Sequence, residues 1–231
     1  MRCIILSLLL FSPAHSSALS LSEIRSDVRS LVTDGQGTRQ RFSNAELNLW
    51  INEAQKIADI RTLCTYKAYN FDLVAGTTYY ALPNGFIAIR RVTRDNMSMQ
   101  EMSPAALDGR SAEWETASGL PTYYFTNFST RGVIGFAPFP AVVGDTATIH
   151  VEYMAYSGDL VADADIPFGG IVEFYPYHYA LTFYAAYKAS VIDERDNKAK
   201  VFMESFASIV TMMKDQCIIR PNYLPSASAR Q

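Results

Sequence analysis

The sequence predicts an α+β fold: a helical body built from the N- and C-terminal segments, with an inserted antiparallel β-rich region of sandwich or barrel-like form. Three observations predict it. Two sharply marked helix starts, at Ser20 and Ser43, open apolar patterns of helical period. From Tyr69 to Tyr156 the period changes to two, interrupted by Gly, Pro and Asn turns. Past Pro176 the helical period returns. The chain thus divides into a leader (1–18), the first part of the helical body (19–66), the β-rich insertion (67–160), the second part of the body (161–216) and a C-terminal arm (217–231).

Residues Met1–Ala18 have the form of a secretory signal, with Arg2 as a short positive region, an apolar run from Cys3 to Phe11, and small residues at Ser16 and Ala18. The run is too short to anchor in a bilayer. The competing reading is an adventitious N-terminal extension upstream of the folded body.

Ser20 and Glu23 form a capping box, with Leu19 and Ile24 in the positions of a hydrophobic staple. Ile24, Val28, Leu31 and Val32 then recur at helical spacing, and Thr33-Asp34-Gly35 ends the helix. The same punctuation returns with Ser43 and Glu46 as box and Phe42 and Leu47 as staple. In the second helix Leu47, Trp50, Ile51, Ala54, Ile57, Ala58 and Arg61 trace one face. Asn48, Asn52, Glu53, Gln55, Lys56 and Asp59 are expected on the exposed one.

Tyr69, Phe71 and Leu73 alternate with polar residues up to Ala75-Gly76-Thr77, and Tyr80 and Leu82 continue beyond it, which reads as a hairpin. Pro83-Asn84-Gly85 separates a further strand, Phe86–Thr93, with Ile87 and Ile89 on one face and Ala88 and Val92 on the other. Arg94-Asp95-Asn96 turns into a short strand at Met97–Glu101. Ser103 and Pro104 start a brief helix as cap and first-turn proline. Thr122–Thr126 and Val133–Ala137 pair across a turn, and Thr146–Tyr156 alternates Ala147, Ile149, Val151 and Tyr153 against Thr148, His150 and Glu152, the mark of a sheet with one wet side. A helix follows with Tyr177, Ala180, Leu181, Tyr184 and Lys188, whose small Ala180, Ala185, Ala186 and Ala189 permit close packing. A last helix, from about Asp196 to Lys214, carries Phe202, Phe206, Ile209 and Met213 on one side.

Composition excludes more than it assigns. The net charge is −3 and no basic run is present to neutralise phosphates, which argues against a sequence-specific nucleic-acid binder. Aromatic residues make up 13% of the chain, with tyrosine the most frequent, and surplus tyrosine suits both an aromatic β core and interface-forming surfaces. Cys3, Cys64 and Cys217 form no metal-binding spacing. Without the leader, Cys64 and Cys217 are the one candidate pair, and both read as small buried hydrophobes. No nucleophile elbow, zinc-protease helix, phosphate loop or dinucleotide fingerprint occurs. His150 and Glu152 share a strand face, as two metal ligands or a proton-sharing pair of a hydrolase would, but read as a solvated sheet face. Asp159, Asp163 and Asp165 cluster before Pro167 without the glycine and distal glutamate of a calcium loop, and read as a solvated acidic loop. The expectation is no catalytic, cofactor or metal site.

The ordered blocks carry a resemblance. They are Arg41-Phe42-Ser43-Asn44-Ala45-Glu46-Leu47 with Trp50-Ile51-Asn52-Glu53-Ala54-Gln55, then Ala75–Phe86 with its Tyr79-Tyr80-Ala81-Leu82-Pro83-Asn84-Gly85-Phe86, then Leu107-Asp108 before Trp114. Gly119-Leu120-Pro121-Thr122-Tyr123-Tyr124 and the strand ending Pro138-Phe139-Pro140 complete the series. In this order the chain resembles the head-to-tail adaptor, or connector, proteins of tailed bacteriophages, of the tail tubular protein A type. The resemblance implies a structural virion protein and no enzyme, assembled in the host cytoplasm as a ring, commonly of twelve copies. Its implied partners are the portal protein and a tail or nozzle protein, with genomic DNA passing through the channel during ejection without sequence-specific binding. It also implies that the C-terminal arm reaches the portal, which makes Arg220, Pro221, Tyr223 and Leu224 the expected portal contacts. The leader is the departure. Were it a true signal peptide, the chain would instead be a secreted β-rich binding protein, for instance for carbohydrate.

Overall fold

A computed structural model of the chain describes residues 17–34, 40–111, 113–126, 132–140 and 147–219. It is α+β, with a β-rich region inserted between helical segments, and it forms two compact units: one from the chain's two ends, up to Gln55 and from Gly158, the other Lys56–Ser157.

In the first unit both capping boxes form. Helix α1 (Leu21–Val32) starts where Ser20 Oγ accepts from Glu23 N and Glu23 Oε2 accepts from Ser20 N, and it closes on Thr33 in the left-handed region at φ 57°. Helix α2 (Asn44–Thr62) starts with the same exchange between Ser43 and Glu46, at 2.8 and 3.2 Å. These exchanges satisfy backbone donors that a helix start otherwise leaves orphaned. Two 3-10 turns, Pro167–Gly170 and Val172–Tyr177, lead into α4 (Tyr179–Ile192), which packs on α1 and on α5 (Asp196–Ile219). Ala180, Ala185, Ala186 and Ala189 are all buried, as close packing requires, and Tyr184 lies against Phe206 with ring centroids 5.0 Å apart. Cys217, in the last turns of α5, is disulfide-bonded rather than a free hydrophobe.

The second unit is a sandwich of two four-stranded sheets with strand orders β1-β8-β3-β4 and β2-β7-β6-β5. The strands are β1 (Tyr66–Asp72), β2 (Tyr79–Ala81), β3 (Phe86–Arg94), β4 (Met97–Ser98), β5 (Gln100–Glu101), β6 (Tyr123–Thr126), β7 (Val133–Ala137) and β8 (Thr148–Ala155), with α3 (Pro104–Arg110) between β5 and β6. Val92, Ile149, Val151 and Tyr153 of one sheet meet Tyr124, Ile134 and Phe136 of the other in a single core. Cys64 is buried in this unit and is disulfide-bonded.

Four expectations need correction. The Ala75-Gly76-Thr77 turn exists, with Thr77 N donating to Val74 O at 3.0 Å, but it does not make a hairpin: β1 pairs with β8 and β2 with β7, so the chain changes sheets there. Ile89 and Val92 belong to the same core although simple alternation separates them, because the β3–β8 ladder shifts register between Ile89 and Arg91. One strand pair, β5 with β6, is parallel. Finally, Gln55 and Asp59, expected in solvent on α2, are 0% and 1% exposed.

Candidate assembly surfaces

The expected portal contacts Arg220, Pro221, Tyr223 and Leu224 lie outside the described residues, which end with α5 at Ile219. The other sequence-selected residues are placed. His150 Nδ1 shares a hydrogen bond with Asn70 Oδ1 at 2.5 Å, and its Nε2 stands 3.7 Å from Glu152 Oε1. Beside them Thr148 Oγ1 donates to Asp72 Oδ1 at 2.8 Å. This is a cross-strand polar ladder on the outer face of the first sheet, whose members satisfy one another in contact with solvent. Among the described residues no three His, Cys, Asp or Glu side chains converge on a metal position.

The acidic loop has a structural task. Asp165 Oδ2 accepts from Val161 N at 2.7 Å and Ala162 N at 2.8 Å, and these two backbone donors hold its carboxyl below the usual carboxylate range. The loop's carbonyls then serve α1: Leu21 N donates to Asp165 O and Ser22 N to Asp163 O. Arg25 pairs with the Asp163 carboxylate and also donates to Asn48 Oδ1 at 3.2 Å. The Asp165 carboxylate is thus a turn acceptor and that of Asp163 an ion-pair partner.

α2 supplies the polar side chains that fix the returning chain in the helical unit. Asn52 brackets Leu160, accepting from its N–H at 2.8 Å and donating to its carbonyl at 3.0 Å. Gln55 donates to Gly158 O at 2.8 Å and accepts from Phe168 N at 2.9 Å. Glu53 accepts from Tyr184 Oη at 2.8 Å and pairs with Lys188 at 3.0 Å. His178 is fully buried among Phe168 and Tyr175, and its Nδ1 accepts from Leu19 N at 3.1 Å. Burial holds its pKa down to about 4, so the ring is neutral at physiological pH.

In the β unit, Asp59 ties the chain before β1 to the chain after β8. Its carboxylate accepts from Thr65 Oγ1 at 2.8 Å, Ser157 N at 2.7 Å and Ser157 Oγ at 3.0 Å. Burial raises its pKa, and the hydrogen bonds oppose that rise. Gln55 and Asp59 were missed in the sequence because a polar residue on a helix normally marks solvent. Their spacing of four, placing both on one helical stripe, was the only available signal.

The aromatic and glycine motifs of the insertion are turn and packing devices. Phe86 N donates to Pro83 O across the Pro-Asn-Gly turn, and Gly85, at φ 82°, offers its carbonyl to Tyr156 N at 2.8 Å. The Gly-Leu-Pro-Thr segment is fixed by Gly119 N to Phe139 O, at 2.8 Å, and by the buried Arg94, which donates to Pro121 O. On the outer face of the second sheet, Leu107, Trp114, Phe125 and Ala137 form a separate small core. Asp108 accepts from Trp114 Nε1 at 2.7 Å, which explains why this pair occurs together in the sequence.

Large apolar side chains also stand at the surface of both units. The β unit exposes Tyr66, Tyr69, Val74 and Tyr79, and the helical unit exposes Leu49, Val172, Ile192 and Val201. Among the described residues no helix is long and apolar enough to cross a membrane. Large apolar and aromatic side chains at the surface of a chain with structurally committed polar clusters suit contact with protein partners.

No curated protein matches the chain by sequence. A family model described as SU10 adaptor protein matches residues 19–222, a span that takes in most of the helical unit and the whole of the β unit. The chain is a member of the SU10 adaptor family, a family of phage head-to-tail adaptors.

Proposed function

We propose that this adaptor is a structural virion protein that assembles as a ring of about twelve copies between the portal and the tail, leaving a channel for the genome. The observation that carries the reading is the family match over residues 19–222. The rest of the molecule fits it. The buried Gln55 and Asp59 side chains are taken up by partners within their own units, and the exposed apolar side chains suit protein–protein contact. A net charge of −3 with no basic run suits a lumen along which DNA slides, because phosphate-neutralising contacts would hold it. In this reading the protein does no covalent chemistry and needs no cofactor. Its partners are a portal protein and a tail or nozzle protein, and it is incorporated in virions assembled in the host cytoplasm. The family match gives no support to the secreted alternative.

The C-terminal arm is the proposed portal attachment, with Arg220, Pro221, Tyr223 and Leu224 as contacts, since an apolar segment stiffened by proline binds at low entropic cost. The test is to mix the purified chain with its candidate portal protein and to measure native mass and particle images. A closed ring seated on the portal is expected, and deletion of residues 220–231 is expected to abolish seating while leaving the thermal transition unchanged. Undiminished attachment of the truncated chain overturns the arm assignment. A chain that stays monomeric with and without portal overturns the ring.

A further inference from the structure

Among the described residues, the β unit has an unpaired strand edge that lacks proline and bulges. β1 ends its sheet, and its seven residues pair with β8 in unbroken register from Tyr66 opposite Met154 to Asp72 opposite Thr148. Among the described residues nothing pairs with its other side. Natural edges are blunted by proline, bulges, shortness or an outward lysine. β1 has no proline and no bulge, and its one lysine is engaged within the unit, with Lys67 Nζ donating to Tyr156 O at 3.0 Å. Six of its seven residues are exposed; Tyr66, with the Arg90 guanidinium 4.5 Å from its ring, and Tyr69, beside Phe71 at 5.5 Å, keep 43% and 36% of their surface in solvent. Such an edge presents a row of unused N–H and C=O groups, the chemistry that recognises an added strand.

The same sheet has a second open edge on its far side. Among the described residues β4 covers only Thr93 and Arg94 of β3, so Phe86–Arg91, whose ladder to β8 carries two register shifts, has β8 on one side alone. Alongside it runs a groove of about 890 Å³ lined by Leu82, Ile87, Ala88, Ile89, Val133 and Glu101. One chain therefore offers a long bare edge and, on the opposite margin of the same sheet, a shorter edge with space beside it.

We propose that β1 is an assembly edge whose occupant is a second copy of this chain, the sheet of one copy continuing into the next by pairing β1 with the open part of β3. Both strands run antiparallel to β8, so the new pair is parallel. Because the two edges are different surfaces, the contact is heterologous and propagates head to tail, as a closing ring requires, whereas β1 pairing with itself gives a two-fold dimer and stops. The proposal rests on the ring reading given above and supplies its interface.

The test uses the full chain with its portal protein. Adjacent residues of an edge strand point their N–H groups alternately at the neighbouring strand and outward. Of Ala68→Pro and Tyr69→Pro, one therefore breaks the β1–β8 ladder and the other removes only an outward donor, and the thermal transition identifies which. The variant that keeps its transition should stay monomeric where the unmodified chain forms rings. It still offers an intact β3 edge, so a fivefold excess added before assembly should terminate unmodified rings as short open oligomers. The double variant Tyr66→Glu/Tyr69→Glu, at two exposed side chains, reads the same loss without altering backbone donors. Rings formed normally by the folded variants, or variants inert toward the unmodified chain, overturn the β1–β3 pairing and leave the ring standing. Failure of the unmodified chain to form rings overturns both.

Discussion

The ring of Phe125 lies across Gly135, its directly opposite neighbour on the adjacent strand, so closely that a Cβ on Gly135 would stand 2.4 Å from the ring. Phe125 cannot swing aside, because Tyr79 meets it edge-on at 5.8 Å and Trp114 at 5.2 Å. Tyr79 is itself the partner of Gly135 on the other flanking strand. The glycine is thus required for space and not for backbone freedom. Gly135→Ala should destabilise the β unit by about 1–3 kcal/mol through overpacking, and Phe125→Ala by about 3–5 kcal/mol through the cavity it leaves. Urea denaturation followed by tryptophan fluorescence in a Trp50→Phe background, which leaves Trp114 as the reporter, measures both. A neutral Gly135→Ala would show that the outer core yields where it is expected to be rigid.

Asp59 closes the base of the β unit, and its loss should be felt as unmet hydrogen bonds. Asp59→Ala strands the buried Ser157 N–H and two hydroxyls and is expected to cost about 2–4 kcal/mol. Asp59→Asn keeps one acceptor oxygen and should cost less. Since burial raises the carboxyl's pKa in the folded state, Asp59 contributes stability that is present below its unfolded value of 3.8 and is lost as pH rises through the folded value. The Asn variant should lack that component, so the stability difference between the natural chain and Asp59→Asn should shift toward the natural chain on acidification.

The sequence yielded what periodicity and local punctuation encode. Both capping boxes, the small-residue face of α4, the alternation of β8 and the Ser103-Pro104 helix start were legible because each depends on neighbours within a few residues. The failures are non-local. The Ala75-Gly76-Thr77 turn looks like a hairpin turn whether its two strands pair with each other or enter different sheets, since the choice depends on β7 and β8 far along the chain. Gln55 and Asp59 look solvent-facing because their partners, Gly158, Phe168 and Ser157, are about a hundred residues away. Nothing local to β3 announces the bulge that carries Ile89 and Val92 to the same core. For the assembly surfaces, the abundance of tyrosine was visible, but its concentration at Tyr66 and Tyr69 on an unpaired edge was not.

His178 gives the helical unit an acid sensitivity of the opposite sign to that of Asp59. Its folded pKa of about 4 lies below the ordinary 6.5, so the unfolded chain takes up a proton first as pH falls. The stability contributed by the neutral ring is complete above pH 6.5 and is lost progressively toward pH 4, up to about 3 kcal/mol. Unfolding measured at intervals between pH 7.5 and 4.5 should show this slope, and His178→Gln should flatten it. An unchanged slope in the variant would assign the acid sensitivity to other groups.

Gln55 is the buried polar residue whose replacement separates shape from charge. Its amide is fully buried and uses both ends, donating to Gly158 O and accepting from Phe168 N. Gln55→Ala leaves a carbonyl and an N–H unpartnered and should cost about 2–4 kcal/mol. Gln55→Glu nearly conserves the shape, but its ionised carboxylate can serve only Phe168 N and faces the Gly158 carbonyl with a second acceptor. Burial raises the pKa of such a carboxyl. A raised folded pKa means stability present at low pH and lost as pH rises through that value. Gln55→Glu is therefore expected to be more destabilising than Gln55→Ala at pH 7, and to recover toward the natural chain near pH 4, where the protonated carboxyl can again donate to Gly158. Denaturation of the three chains at the two pH values decides it. A Gln55→Glu chain equally stable at both would mean that water reaches this position, and that the returning segment is held by Asn52 and Leu160 without Gln55.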